Sequence, residues 1–209
     1  MAYRATPKTI ARKAEMRQRV LDAASALVGV GGFGALSMQA VALGAGMATG
    51  AVYLHFKSKA ELCAEVFRLA TEREVSVVCQ AAQPPGCAST RLARCISVFS
   101  ERALRARRMA YALIAEPVDA LVDAERLRYR LAYAQVFEQL VREGVTLGEF
   151  APQDAVVSAA ALVGVIAESL VGPLSTTTNT TEPATLVRAI ESFCLRAVGV
   201  QLAVDLQSA

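Results

Sequence analysis

The stretch Ser37–Leu62, SMQAVALGAGMATGAVYLHFKSKAEL, decides how the rest of the chain is read. Ser37 is placed to cap a helix whose apolar residues Met38, Val41 and Ala42 fall at i, i+3 and i+4. Gly44, Ala45 and Gly46 interrupt that helix, because glycine tolerates the positive φ of a tight turn. A second short helix is predicted from about Ala48 to Leu54, directing Ala51, Val52 and Phe56 inward. Two short helices joined by a tight glycine-containing turn form a helix-turn-helix, whose second helix fits the major groove of DNA.

The segment Val41-Ala42, Gly46, Gly50, Tyr53, His55, Phe56, Lys59 and Leu62 resembles the DNA-binding segment of the tetracycline-repressor (TetR) family of bacterial transcriptional regulators. Upstream, Val20, Leu21, Ala23, Ala24, Leu27, Gly32 and Phe33 are similar to the family's first helix and the loop after it. The resemblance covers residues 16–62; beyond them it rests on length and an all-helical pattern. It departs at Ala48, where the family usually has Ser, which removes a side-chain cap typically worth about 1 kcal/mol. The resemblance implies an all-α fold: a three-helix helix-turn-helix DNA-binding domain over residues 1–60 and a helical effector-binding and dimerisation domain over 61–209. It implies a homodimeric repressor released from a palindromic operator by a small molecule.

Charge supports a DNA-facing front. Residues 1–60 carry eight basic groups against Glu15 and Asp22, a surplus of six, whereas the remainder carries fourteen Arg against seventeen acids. A basic module on a mildly acidic body is the electrostatic footprint of nucleic-acid binding. The candidate DNA-binding residues are Ser37, Gln39, Thr49, Gly50, Tyr53, His55 and Lys59. Gly50 and Ala51 are small where a recognition helix nears the DNA backbone, and Thr49 is polar where it meets base edges. Tyr53 can donate its hydroxyl to a phosphate, and the resemblance places His55 at the backbone too. Lys59 falls in the first turn of the next helix, where charge and free amides both favour an anion. Arg, Asn and Gln are missing from residues 48–55, so phosphate contacts and DNA shape are expected to carry much of the affinity.

The 209-residue chain is 54% hydrophobic, enough to bury a sizeable core, and is Trp-free and rich in Ala, Leu and Val, which favours packed helices. Long helices are expected at Thr9–Val30, Lys59–Gln80, from Ser89 past the Arg105, Arg107 and Arg108 knot to near Pro117, and at Val118–Gly144. Leu121, Leu127, Leu131, Ala134, Phe137, Leu140 and Val141 are the expected inner face of the last. Pro152 is expected to open a further helix, apolar nearly all round over Ala155–Val171, which Gly172-Pro173 should end. That apolar run is short for a bilayer, and no membrane association is expected. The last helix is expected over Glu182–Leu202, and the final two helices are the candidate dimer interface. The N-terminus lacks an apolar signal core, which suggests a cytoplasmic protein.

Five Cys without a CxxC spacing argue against a disulfide framework. Cys87, after Pro84-Pro85-Gly86, is the one candidate for a redox signal instead of a small molecule. The sole His lies in the DNA motif, so a His-based metal cluster or a Ser-His-Asp triad elsewhere is excluded. No enzyme activity, cofactor or metal is expected. A helical partner-binding scaffold would explain the apolar helices but not the basic front. For the body, candidate ligand-binding residues are Phe99, Met109, Tyr111, Tyr133, Phe137 and Glu168, large or polar side chains on apolar helices. The apolar bias favours a hydrophobic or acyl-type effector over a sugar.

Overall fold

The structure is a computed structural model that describes residues 6–175 and 182–200. Residues 1–5 and 176–181 and the end of the last expected helix lie outside the described residues. Nine α-helices and one 3-10 turn make up the described chain.

Helix α1, Pro7–Gly31, starts with Pro at its first turn and Thr6 as cap, and turns its Val20, Leu21, Ala24 and Val28 to the interior. Gly32 ends it at φ 74°, a left-handed conformation that a side chain would strain. The 3-10 turn Phe33–Ala35 then inserts Phe33 into the core. In α2, Met38–Gly44, Ser37 caps as its sequence position implies, its hydroxyl accepting from Ala40 N–H at 3.1 Å. Helix α3, Thr49–Tyr53, starts at Ala48 with no side-chain cap. Helix α4, Lys59–Ala81, opens with a capping box: Ser58 Oγ accepts from Glu61 N–H at 3.1 Å, and Glu61 reaches back to Lys57 N–H at 2.7 Å. Val41, Val52, Phe56, Leu62, Val66 and Phe67 close the core of this head, and each such side chain fully buried contributes about 1.5–3 kcal/mol. Ala112, Val122 and Tyr129 of the body belong to the same packed cluster.

The body comprises α5 Ala88–Arg105, α6 Arg107–Ile114, α7 Ala120–Thr146, α8 Ala155–Ser175 and α9 Pro183–Ala197. Its own core is built from Leu92, Ile96, Phe137, Leu140, Val141, Leu162, Ile166, Leu170, Ile190 and Cys194. Four expectations need correction. The single helix expected from Ser89 to near Pro117 is two, broken where Ala106 leaves helical geometry at φ −110° and ψ 47°. Its start is one residue earlier, at Ala88, because Glu149 accepts from Ala88 and Ser89 N–H at 3.1 and 2.9 Å; a cap from so distant a residue leaves no local signal. On α7, Leu121, Leu127 and Leu131 are exposed, and Tyr129, Tyr133 and Phe137 take the inner face at i, i+4, i+8. Helix α8 is capped by Asp154, not opened by Pro152, and runs through Pro173 to Ser175. Pro173 sits in its last turn, where it removes a single helical hydrogen bond.

By length and composition the 21-residue α8 is also able to cross a bilayer. Within the single chain it is covered on one side only. Ala159, Leu162, Ile166 and Leu170 are buried, whereas Val157 is 66% exposed and Ala160, Ala161, Gly164 and Glu168 are open on the opposite face.

Candidate nucleic-acid interface and effector cavity

The α2–α3 unit is fixed from behind. Val52 and Phe56 are buried, and the Arg17 guanidinium lies 4.9 Å from the Phe56 ring centre. Arg19 donates to the Ala45 carbonyl, holding α1 against the turn. Arg17 also pairs with Glu65 at 2.7 Å, and Glu65 with Arg68 at 2.9 Å, which ties α1 to α4. The Arg68 and Arg17 hydrogen bonds hold the Glu65 carboxyl at a pKa of about 2. A depressed carboxylate stabilises the fold above its unfolded pKa, and this is lost as pH falls from about 4.5 through about 2. We expect about 1–3 kcal/mol of acid-labile stability from this site, after discounting solvent screening. Urea melts at pH 7 and pH 3 should show a smaller difference in Glu65→Gln than in the parent; equal differences would contradict the assignment.

The outer surface of this unit carries the sequence candidates. Ser37 caps α2, and Gln39, Gly50, Lys59 and the 50%-exposed Tyr53 face outward, with Thr49 and His55 half-buried. Burial, then the neighbouring Lys13 and Arg17, holds the His55 imidazole below its ordinary pKa, and its Nδ1 is buried without a hydrogen bond. Lys13 and Arg17 of α1 thus converge with His55 on one basic surface. A Cβ at Gly50 would meet nothing within 4 Å. Packing within the chain therefore gives no reason for a glycine on this exposed helix.

A cavity of about 590 Å³ lies where α1, α4, α5, α6, α7 and α8 meet. Its apolar wall includes Leu21, Phe67, Phe99, Met109, Leu113 and Tyr133, and α1 supplies Gln18, Asp22 and Ser25 as well. Phe99 and Tyr133 meet edge-on with centroids 5.0 Å apart. Burial pushes the Tyr133 hydroxyl above its ordinary pKa. Tyr129, also in the wall, keeps its hydroxyl buried near Glu72 and Thr71. Of the six candidates from sequence, Phe99, Met109 and Tyr133 line the cavity and the other three do not. Phe137 is 1% exposed inside the body core, Tyr111 stacks beneath Arg108, and Glu168 is satisfied by solvent on the open face of α8. Large residues on apolar helices mark core as readily as cavity. Phe67 and Tyr129 escaped the sequence reading because they serve head and cavity together.

Residues 20–66 match the family model described as bacterial regulatory proteins, tetR family. That segment is the DNA-binding module of the tetR family. No curated protein sequence matches it. The solved fatty acid degradation regulator FadR from Bacillus halodurans has the same fold, with a TM-score of 0.75 at 17% identity over 92% of this chain and 97% of that one. FadR from Bacillus subtilis, solved in complex with stearoyl-CoA, gives 0.75 at 17% identity over 87% and 98%. A tetR-family protein from Rhodococcus RHA1 gives 0.69 at 22% identity over 90% and 99%.

In this chain a specific clamp joins the cavity wall to the head. Phe33 N–H donates to Glu116 Oε2 at 3.1 Å and Gly34 N–H to Oε1 at 3.0 Å, with Glu116 only 8% exposed. Arg108 donates to the Gly31 carbonyl at 2.6 Å, and Arg126 donates to the carbonyls of Glu116 at 2.7 Å and Leu113 at 3.1 Å. A Cβ on Gly32 would collide with the Glu116 carboxylate. Glu116 follows α6, whose Met109, Ala110, Leu113 and Ile114 face the cavity.

All five thiols are free. Burial pushes Cys63 and Cys194 up to about 11 and Cys95 up to about 12. Cys87 is exposed, and hydrogen bonding by Ser89 and Thr90 lowers its pKa, so it is the thiol best placed to react.

Proposed function

We propose that this tetR-family regulator is a homodimeric repressor that binds a palindromic operator through α2, α3 and the start of α4, and releases it when a small apolar or acyl-type molecule enters the cavity. The observation that carries the reading is the cavity wall: α1 of the head and α4–α8 of the body enclose one space, so an occupant bears on both. A ligand that fits only one head position must shift the equilibrium toward that position. For an acyl chain, affinity should rise about fourfold per methylene until the cavity is filled. The complex of the Bacillus subtilis neighbour with stearoyl-CoA is compatible with this class of ligand.

Dimerisation is assigned to the open faces of α8 and α9, where Val157, Ala160, Ala161 and Gly164 of α8 and the 51%-exposed Phe193 of α9 are uncovered. Gly164 has open space in front of its Cα, which suits close approach of a second helix. Sedimentation as a monomer at micromolar concentration would remove this part of the proposal. A two-fold dimer imposes its symmetry on the operator half-sites.

The deciding experiment is footprinting of the purified protein on DNA upstream of its own coding region at several salt concentrations, followed by addition of acyl compounds. A protected palindrome released by ligand supports the proposal. Weak binding without a footprint there and in a genome-wide selection of bound fragments would overturn it in favour of a scaffold. Lys59→Ala should lower the salt slope by about one, and Tyr53→Ala should weaken binding, both with the melting temperature unchanged. Unchanged affinity in both would misplace the surface. Gly50→Ala separates fold from function by sign: it should stabilise the free protein by about 0.5–1 kcal/mol yet weaken operator binding several-fold, because the added methyl stands between α3 and the DNA. Tighter operator binding by this variant would refute the close approach.

A further inference from the structure

The charges around the cavity do not balance. Five arginines belong to its lining, Arg73, Arg102, Arg105, Arg126 and Arg130, against Asp22 and Glu74. Two of the five are engaged: Arg102 pairs with Glu74 at 2.6 and 2.8 Å, and Arg126 is held by the carbonyls near the end of α6 and by Asp123 at 3.0 Å. Asp22 accepts from Gln18 at 2.8 Å. Arg73, Arg105 and Arg130 make no hydrogen bond or ion pair among the described residues, and all three are exposed. They come from three different helices, α4, α5 and α7, and meet around one apolar space. Three exposed, uncompensated arginines in the lining of one apolar cavity raise the local concentration of anions there and disfavour cations.

We propose that the cavity takes an amphipathic anion, an apolar chain ending in a carboxylate or phosphate, whose charged end is held by Arg73, Arg105 and Arg130. This rests on the reading of the cavity as an effector site and adds the polarity and orientation of the effector. The apolar chain lies inward against Phe67, Phe99, Met109 and Tyr133, and the charged end sits at the rim with the three guanidinium groups. The shared chemistry, a chain with a terminal anion, is met by a free fatty acid and by an acyl-coenzyme A thioester.

The test is calorimetric titration of the full-length protein with decanoate, decanoyl-CoA, decanol and decyltrimethylammonium, in parent and in the triple variant Arg73→Gln, Arg105→Gln, Arg130→Gln. All three side chains are exposed, so the melting temperature of the variant should match the parent. We expect at least one of the two anions to bind about tenfold or more tightly than decanol, the combined effect of three exposed charge pairs. We also expect that advantage to disappear in the variant and to shrink at high salt. Decanoate binding identifies a carboxylate, and decanoyl-CoA binding without decanoate identifies the phosphates of the thioester. Equal binding of decanol and both anions, an advantage that survives the triple substitution, or preference for the ammonium compound overturns the inference while leaving an effector cavity. Failure of all four compounds to bind overturns the effector reading with it.

Discussion

Phe67→Ala should lower the unfolding free energy by about 3–5 kcal/mol, the largest stability loss expected from any single truncation near the cavity. Phe67 is 1% exposed and sits where three things meet. Its ring stacks on Phe33 with centroids 6.2 Å apart, tilts against Tyr129 at 6.3 Å, and lies beneath the Arg126 guanidinium at 6.0 Å. It also forms part of the cavity wall, so the space left by the ring would join an existing void instead of being refilled by neighbours. Urea denaturation followed by circular dichroism should show the midpoint fall with the slope retained. Phe67→Leu should recover more than half of the loss, and Phe99→Ala, a half-buried ring on another wall, should cost less. A loss below about 1 kcal/mol in Phe67→Ala would mean that the head and body do not share this packing.

Glu116→Ala is expected to have the largest effect on signalling. Its carboxylate is the acceptor for Phe33 and Gly34 N–H, and the Phe33 bond is buried. Removing it leaves these donors without a partner, at about 1–3 kcal/mol for a buried one. Loss of the 3.9 Å contact to the 43%-exposed Arg108 adds little. The consequence for response is larger. Couplings between sites commonly reach about 5–150-fold, and on the proposed effector reading α6 and this clamp are the contacts that link cavity to head. The ratio of operator affinity without and with effector should fall toward one in Glu116→Ala, while effector affinity itself changes little. Glu116→Gln should be intermediate, because one acceptor oxygen remains and the amide NH2 faces a donor. Retention of the full affinity ratio in both variants would place the coupling elsewhere.

How legible this was in sequence depended on whether a feature is local. The caps at Ser37 and Ser58, the short α3 without a cap at Ala48 and the burial of Val52 and Phe56 are all local, and all could be read from residues a few positions apart. The Ala106 break was missed because alanine favours helix and nothing in its neighbours announces a stop. The α7 face was misjudged for a different reason. Hydropathy favours the leucines as core, yet the tyrosines at 129 and 133 are buried and Leu127 and Leu131 are not, because burial there follows the partner helices. The clamp was out of reach altogether: Glu116 is 82 and 83 residues from the groups it binds, and a lone glutamate before a proline carries no pattern.

The shared core has a consequence for recombination. Because Ala112, Val122 and Tyr129 pack into the same cluster as Val20, Phe33 and Phe67, the first sixty residues are not a detachable cassette. A hybrid that splices this reading head onto a foreign sensor at residue 60 would strand an apolar seam and discard the Glu116 clamp together. A workable hybrid would carry α4 and the segment 107–129 along with the head, two separated segments and not one contiguous block.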